Sequence, residues 1–544
     1  MIFVVGIAMA TGISHDRLRG PDEPREAEIA RETLVDGYWV TPRFCGLPFL
    51  EKPPLHCNLT ALAFWITGRI TPGVARTVSL LYGCLMLAAV WFFGKTWRGS
   101  RAAWLMVLVL ATMPRFWRYS HWILLDIGVG ALAASALTSF ARAEIFPEGK
   151  RKTSVLLSLF AFFTAAAFLT KGIAGFVAIP LVIGAFCLLE RRWRPIADVL
   201  TPFPLLIFCI PVALWLVLFY REGGVPYVHE HFVNNYLGRF LNIQYQLPDV
   251  QFYHTDVGSP WPWYFYFQRL PDILGVWILV LPFAAGAGLR SWWRREEQSE
   301  RPVFRFLLLW SFLPLLLFSF ASQKEVTYII PSYAGMAILT GAWLDWAILE
   351  RSPDPSRGRW WLGVVIPLAV LTFFSAGIGQ VAFLAISAAV IAALLALLIV
   401  SARRGRRGES FYLALAVLLS LTMISHSPVV YPLLHRPRDN DCFDLAPAVW
   451  RVAGPDALYL YRPNDDIRGT IPFYGKRTTP EINRREDLGE VLSRPEKVYV
   501  VMSPWIYEAA LRDRAMEKHL RLLPTLTITE PGIPASLVLI SNQP

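Results

Sequence analysis

Residues 154–189 read SVLLSLFAFFTAAAFLTKGIAGFVAIPLVIGAFCLL, thirty-six positions with a single charge, Lys171. A run of that length is enough for two membrane crossings of roughly 17–20 residues each, broken at Thr170-Lys171-Gly172. Similar apolar runs lie on both sides of it. They fall near 2–13, 74–94, 102–116 and 122–141, then near 199–220, 272–289, 304–321, 326–349, 360–378, 380–401 and 410–426. Together they make thirteen candidate spans, which at roughly 20 residues apiece take about half of the 544-residue chain. Only 17% of residues are charged and 55% are hydrophobic, whereas soluble domains carry about a quarter charged. An ordinary soluble enzyme is excluded. The sequence predicts a polytopic α-helical membrane protein.

The net charge of +11 reports orientation and not a nucleic-acid partner. From Pro428 onward 15 Lys/Arg balance 15 Asp/Glu, so the excess lies among the spans. There it alternates. The loops with Lys95, Arg98 and Arg101, with Arg142 and Lys150, with Arg191, Arg192 and Arg194, with Arg290 and Arg294, and with Arg403 to Arg407 are basic. The turns between them carry few cations. Basic loops mark the cytoplasmic side. That puts the N-terminus inside and the tail outside. The first span is short and has no basic segment before it, which predicts a truncated or misassigned start or else a short tilted helix.

The chain then divides into a membrane domain, 1–426, with long external loops at 14–73 and 221–271, and a small extracytoplasmic α/β domain, 427–544. Runs 458–461, 498–502 and 536–540 in the tail read as strands, and 507–519 reads as a helix. Cys45 and Cys57 share the first external loop, where they either pair in an oxidising compartment or remain free thiols.

The first loop holds the densest charge pattern, PDEPREAEIARE at 21–32. Proline just inside a helix start with acids in the first turn is an N-terminal signature, and Ala27, Ala30 and Leu34 share a face. The segment predicts a short amphipathic helix at the external interface, with its charges either solvated or functional. Next, LEKPPL at 50–55 fixes Glu51 and Lys52 side by side on backbone that two prolines keep extended. Asp126 lies about one turn into a span, where a carboxylate is costly and usually paired or functional. Lys171 ends a span on the same side, either snorkelling or part of a site. His229-Glu230-His231 offers imidazoles two apart, which do not share a helix face. Lys324 opens SQKEVTYIIP (322–331), at the level where a cation meets a lipid phosphate.

Taken in order, DEPREAEIARE, LPFLEKPPL, the intramembrane Asp126, LTKG, EHF and QKEVTYIIP resemble the bacterial lipid-linked glycosyltransferases of the GT-C fold. The group they resemble is the aminoarabinose transferases related to protein O-mannosyltransferases, over roughly residues 20–335. The resemblance implies Asp22 as the principal catalytic carboxylate and Asp126 as the second acid. It implies Lys52 facing the lipid phosphate and Arg25 as the motif arginine. Lys171, Lys324 and Tyr328 match further positions that bind substrate. Glu51 and His231 resemble a pair that holds a divalent ion, Zn or Mg. The chain departs from the pattern at Pro24, Glu26 and His56-Cys57-Asn58, which leaves sugar and acceptor open.

The activity so implied is inverting transfer of a sugar from a polyprenyl-phosphate donor to an envelope acceptor, whether a lipid A-like lipid, a glycan or a protein. No organic cofactor is expected. Two rivals are a lipid or sugar transporter or flippase, and a non-catalytic subunit of an envelope complex. Transporters show paired halves with polar residues at mid-membrane, whereas here the polar residues cluster at one face.

Overall fold

Lys171 and Gly172 interrupt a helix that otherwise runs Lys150–Phe176: Lys171 has φ −141° and Gly172 has φ 58° with ψ −138°. The structure is a computed structural model that describes residues 17–147, 149–238, 261–293, 300–349, 380–404, 442–512, 520–529 and 536–543, with isolated positions outside those ranges. Before the break come helices α1 (Asp22–Asp36), α2 (Leu55–Thr67), α3 (Pro72–Ala111), α4 (Pro114–Ser120) and α5 (Leu125–Glu144). The broken helix is α6 (Lys150–Phe176), followed by α7 (Ala178–Glu190) and α8 (Pro202–Val228). Then come α9 (Phe265–Leu274), α10 (Leu281–Trp293), α11 (Arg301–Ser319), α12 (Ile330–Leu344) and α13 (Gln380–Arg403).

Among the described residues five helices are long and apolar enough to cross a membrane, or seven if each of two bent pairs counts as one span. Three expected spans lie wholly or largely outside the described residues, and others are helices broken or bent along their length. The runs at 74–94 and 102–116 join as α3, turned at Gly99 (φ 82°). The run near 122–141 is the second arm of a pair, α4 and α5, bent by 113°. Expected spans 2–13 and 360–378, and most of 410–426, lie outside the described residues.

The core forms where small residues let helices approach. A Cβ on Gly130 of α5 would meet Ile330 at 2.3 Å, and one on Gly341 of α12 would meet the Met106 backbone of α3 at 2.7 Å. α5 is consequently buried along almost its whole length.

The tail carries five strands. They are β3 (Ala457–Tyr461), β4 (Glu481–Ile482), β5 (Val498–Met502), β6 (Thr525–Thr529) and β7 (Ser536–Ser541); β1 (Arg43–Phe44) and β2 (Leu47–Pro48) form a small hairpin in the first loop. The sheet order is β4-β3-β5-β7-β6. β3 is parallel to β4 and β5, and β7 is antiparallel to β5 and β6. Crossover helix α14 (Asp465–Gly475) follows β3 and lies on α1. The expected helix at 507–519 spans Pro504–Leu511, and its later residues are outside the described set.

One alternative is decided here. The charged face of α1 is not solvated: Glu23, Glu26, Glu28, Arg31 and Glu32 are all buried. The tail covers it. One apolar cluster takes Ala27, Ile29, Ala30 and Phe44 from the first loop together with Leu458, Leu460, Ile467 and Ile471 from the tail. Hydrogen bonds offset burial for most of these acids: Glu28 accepts from Arg31 at 2.6 and 2.7 Å, and Glu32 accepts from the N–H groups of Cys45 and Gly46 at 2.8 and 3.1 Å, whereas Glu26 faces Arg25 at 3.5 Å. Cys45 and Cys57 are free thiols. Each donates to a backbone carbonyl, of Arg468 and Pro54 respectively, so the alternative of a disulfide is set aside.

Candidate functional site

A cavity of about 620 Å³ opens at the end of the helical bundle that carries the first loop and the tail. Asp22, Arg25, Glu51, Lys52, Asp126, Lys171, Lys324 and Tyr328 all line it. Only His231, of the residues singled out by sequence, is absent from the wall. Expected at one membrane face, these residues share one chamber in the fold.

Each is held by local geometry. Asp22 and Arg25 occupy the first turn of α1, where Arg25 Nη2 donates to Asp22 Oδ1 at 2.6 Å. Lys52 lies in the bend before α2, 3.2 Å from Glu51 Oε2. Asp126 sits in the first turn of α5, just past the sharp bend. Its partner is Lys171, with which it forms a buried ion pair. The break in α6 makes that pair feasible, because it turns Lys171 out of the helical ladder. The Lys171 carbonyl freed by the break accepts from the Tyr236 hydroxyl at 3.1 Å. Gly172 is needed for two reasons, its left-handed φ and the 1.9 Å that would separate a Cβ from that hydroxyl. Tyr328 presents its ring 4.5 Å from the Lys171 ammonium, a cation–π contact.

Lys324 is buried and donates to the carbonyls of Ala321 and Trp261, the latter at 2.7 Å. Burial draws its ammonium below the ordinary lysine range. Beside it, the Glu325 carboxyl is raised by burial and then by the charges of Asp22 and Asp126. Those two carboxylates therefore act on one point from two different elements.

His231 lies in the π-helical continuation of α8, His229–Gly238. Its Nδ1 meets the Leu50 carbonyl at 2.6 Å and its Nε2 faces the Tyr236 hydroxyl at 3.3 Å. Among the described residues no three His, Cys, Asp or Glu side chains gather as a metal site. As placed, Glu51 and His231 do not make a metal centre by themselves, since both imidazole nitrogens face other groups and Glu51 faces Lys52. No chemical step below is routed through a metal.

Two features of the site were missed in sequence. Arg76, in the first turn of α3, is fully buried and grips Glu23 with Nε at 2.8 Å and Nη2 at 2.7 Å. A lone arginine at the sparsely charged end of a span was the available signal. The second is the tail's contribution to the wall, Asn464, Asp465 and Arg468, which no local pattern announces.

Glu26 carries a pH prediction. Its carboxyl is raised from the ordinary 4.5, mainly by burial; Asp22 and Asp126 push the same way, and Arg25 and Lys52 oppose. A raised folded-state value means stability is complete below the unfolded value and is lost as pH rises through the folded one. Glu26→Gln is therefore expected to flatten the fall of Tm as pH rises above 4.5. Parallel Tm curves for wild type and variant would contradict this.

Residues 21–229 match the family model described as dolichyl-phosphate-mannose-protein mannosyltransferase. The undecaprenyl phosphate-alpha-4-amino-4-deoxy-L-arabinose arabinosyl transferase of Aeromonas salmonicida is 29% identical over 358 residues, 65% of this chain and 61% of that one. Its counterpart in Pseudomonas aeruginosa PAO1 is 28% identical over 380 residues, 68% and 64% of the two chains. The match thus spans about three-fifths of the length of these curated relatives. Among solved structures, ArnT from Cupriavidus metallidurans bound to undecaprenyl phosphate superposes with a TM-score of 0.73 at 20% identity, covering 99% of this chain and 96% of that one. This chain has the fold of the GT-C lipid-linked glycosyltransferases. The GT-C likeness extends to the oligosaccharyltransferase of Archaeoglobus fulgidus, at a TM-score of 0.51 and 13% identity over 98% of this chain and 74% of that one.

Proposed function

We propose that the protein is an integral-membrane glycosyltransferase that moves a sugar from a polyprenyl-phosphate donor to a cell-envelope acceptor. The observation that carries the reading is the cavity in which Asp22, Asp126, Lys52, Lys171 and Lys324 meet from five separate segments. Scattered over the chain as they are, these residues would gain nothing from convergence in a scaffold.

The reaction needs few parts. An acceptor oxygen attacks the anomeric carbon, the bond from that carbon to the phosphate oxygen breaks, and polyprenyl phosphate departs. Attack from the face opposite the leaving group inverts the centre. Asp22 is placed to take the proton of an acceptor hydroxyl; an acceptor phosphate would need only orientation. Lys52 and Lys324 are suited to stabilise the negative charge that grows on the leaving phosphate, in a cavity where solvent screens little. Asp126 holds Lys171 and so fixes the cation that closes the floor. Glu51 and His231 remain the residues toward which a divalent ion would be sought.

In this reading the chain crosses an inner membrane about thirteen times, with its N-terminus in the cytoplasm. Residues 1–426 form the membrane unit, and the tail from 427 lies outside with the cavity. The relatives' names favour an aminoarabinose-type pentose and undecaprenyl phosphate as the first donor to try. A lipid A-like acceptor is the first candidate, ahead of glycan or protein.

The test is transfer of labelled sugar from polyprenyl-phosphate sugar in proteoliposomes, with products separated into lipid, glycan and protein fractions. Label reaching one fraction supports the enzyme and identifies its acceptor class. Label that crosses the bilayer still attached to its polyprenyl carrier would favour a flippase instead.

A further inference from the structure

The tail is joined to the cavity by an unbroken line of charges. Asp22 Oδ1 accepts from Arg25 at 2.6 Å. Arg25 Nη1 lies 3.5 Å from Asp465 Oδ2, across 440 residues of sequence. Asp465 Oδ1 accepts from Arg468 at 2.7 Å, and Arg468 is clamped by both oxygens of Glu481 at 2.7 and 2.9 Å. The arginine that touches the candidate base is thus held on its far side by the first turn of α14.

A steric observation points the same way. Gly469, one turn along α14, lies so close to α1 that a Cβ would come within 2.4 Å of the Pro24 carbonyl carbon. Pro24 is in the turn that carries Asp22 and Arg25. Such an approach leaves no room for a solvent layer between tail and site. The shared apolar cluster beneath, with Ala27 and Ala30 against Ile467 and Ile471, fixes the two helices to each other.

An acid in the first turn of a helix is often there only for the helix dipole. Asp466 occupies that turn as well and is not in the cavity wall, whereas Asp465 is. The contact with Arg25 is what Asp465 adds.

We propose that Asp465 is a positioning residue of the transfer centre: from the tail it holds Arg25, and through Arg25 it sets the orientation of Asp22. The tail is then a structural half of the site and not an appended module. The inference rests on the cavity being the transferase centre, and its test is built so that the two can fail separately.

In full-length protein in proteoliposomes, Asp465→Asn is expected to lower kcat by about 10²-fold, the scale of an ångström-sized misplacement, with KM for the donor unchanged. Asp465→Glu is expected to recover part of the loss. Gly469→Ala, which pushes α14 off α1, is expected to lower kcat as well. Arg477→Ala is the control: Arg477 bonds only within the tail, to the carbonyls of Gly454 and Pro455 at 3.1 Å. It is expected to lower Tm and leave kcat at the wild-type level. Loss of kcat in Arg477→Ala equal to that in Asp465→Asn would reduce Asp465 to a general stabiliser and overturn the proposal, as would full activity in Asp465→Asn.

A thermal double-mutant cycle of Arg25→Gln and Asp465→Asn needs no substrate. Non-additive Tm shifts are expected, and strictly additive shifts would overturn the proposal. Wild type inactive with every donor tried would defeat the transferase reading alone, with the cycle still deciding whether Asp465 holds Arg25.

Discussion

Asp22→Ala is expected to lower sugar transfer by about 10²–10⁴-fold, the usual contribution of a positioned general base, while the protein folds and inserts normally. The asymmetry follows from where Asp22 sits. Its side chain is 39% exposed to the cavity, and although its partner Arg25 is only 11% exposed, that arginine has other carboxylates nearby. Arg25 keeps Asp465 at 3.5 Å and Glu26 at 3.5 Å. Steady-state transfer in proteoliposomes and Tm on the same preparations would be measured together. A variant with more than a tenth of wild-type activity would take the base role from Asp22, leaving Asp126 as the acid to examine. Should the natural acceptor be a phosphate, the loss is expected at the lower end, since no proton then has to move. The size of the effect therefore also reports on acceptor chemistry.

How far this site could be read without coordinates depended on the type of signal. Apolar runs announce themselves: α6 and α7 follow from 154–189, and β5 spans the same residues, 498–502, that the β-rich pattern marked. Helix α1 was legible from its proline and acids, and the break in α6 from Lys171-Gly172. Eight of the nine residues chosen from motifs line one cavity, because alternate connections between the helices of a bundle meet at the same end. What sequence did not carry was pairing across distance. Asp126 and Lys171 were separate oddities until the bend before α5 and the break in α6 turned them toward each other. The environment of α1 was left open for the same reason. Its charges look solvated along the chain, and only the tail, some 440 residues away, shows that they are enclosed. Asp465 could not have been chosen, since an acid at a helix start has an ordinary local explanation.

Glu23 is expected to show the largest effect on stability. Its carboxylate is fully buried and joins four segments. Besides the bidentate grip of Arg76, Oε2 accepts from the Arg19 N–H at 2.7 Å and Oε1 from the Ile123 N–H at 3.0 Å. Removing one partner of a buried ion pair costs about 3–5 kcal/mol, because the other charge is left in a medium that cannot solvate it. Glu23→Ala should meet that figure, as it strands both an arginine and two backbone donors. Arg76→Met should cost less. The carboxylate would keep two N–H groups, and methionine fills much of the space. The double variant should not recover wild-type stability, since each stranded N–H is worth about 1–3 kcal/mol. Unfolding in detergent, read by tryptophan fluorescence, would test the order Glu23→Ala worse than Arg76→Met. Equal losses, or a loss below about 1 kcal/mol for Glu23→Ala, the size of an exposed ion pair, would mean that the pair is not the junction described. Activity should fall even where the variant stays folded. Ile123 precedes Asp126 by three residues, and Glu23 adjoins Asp22, so this one carboxylate sets the spacing between the two acids across which the sugar would move.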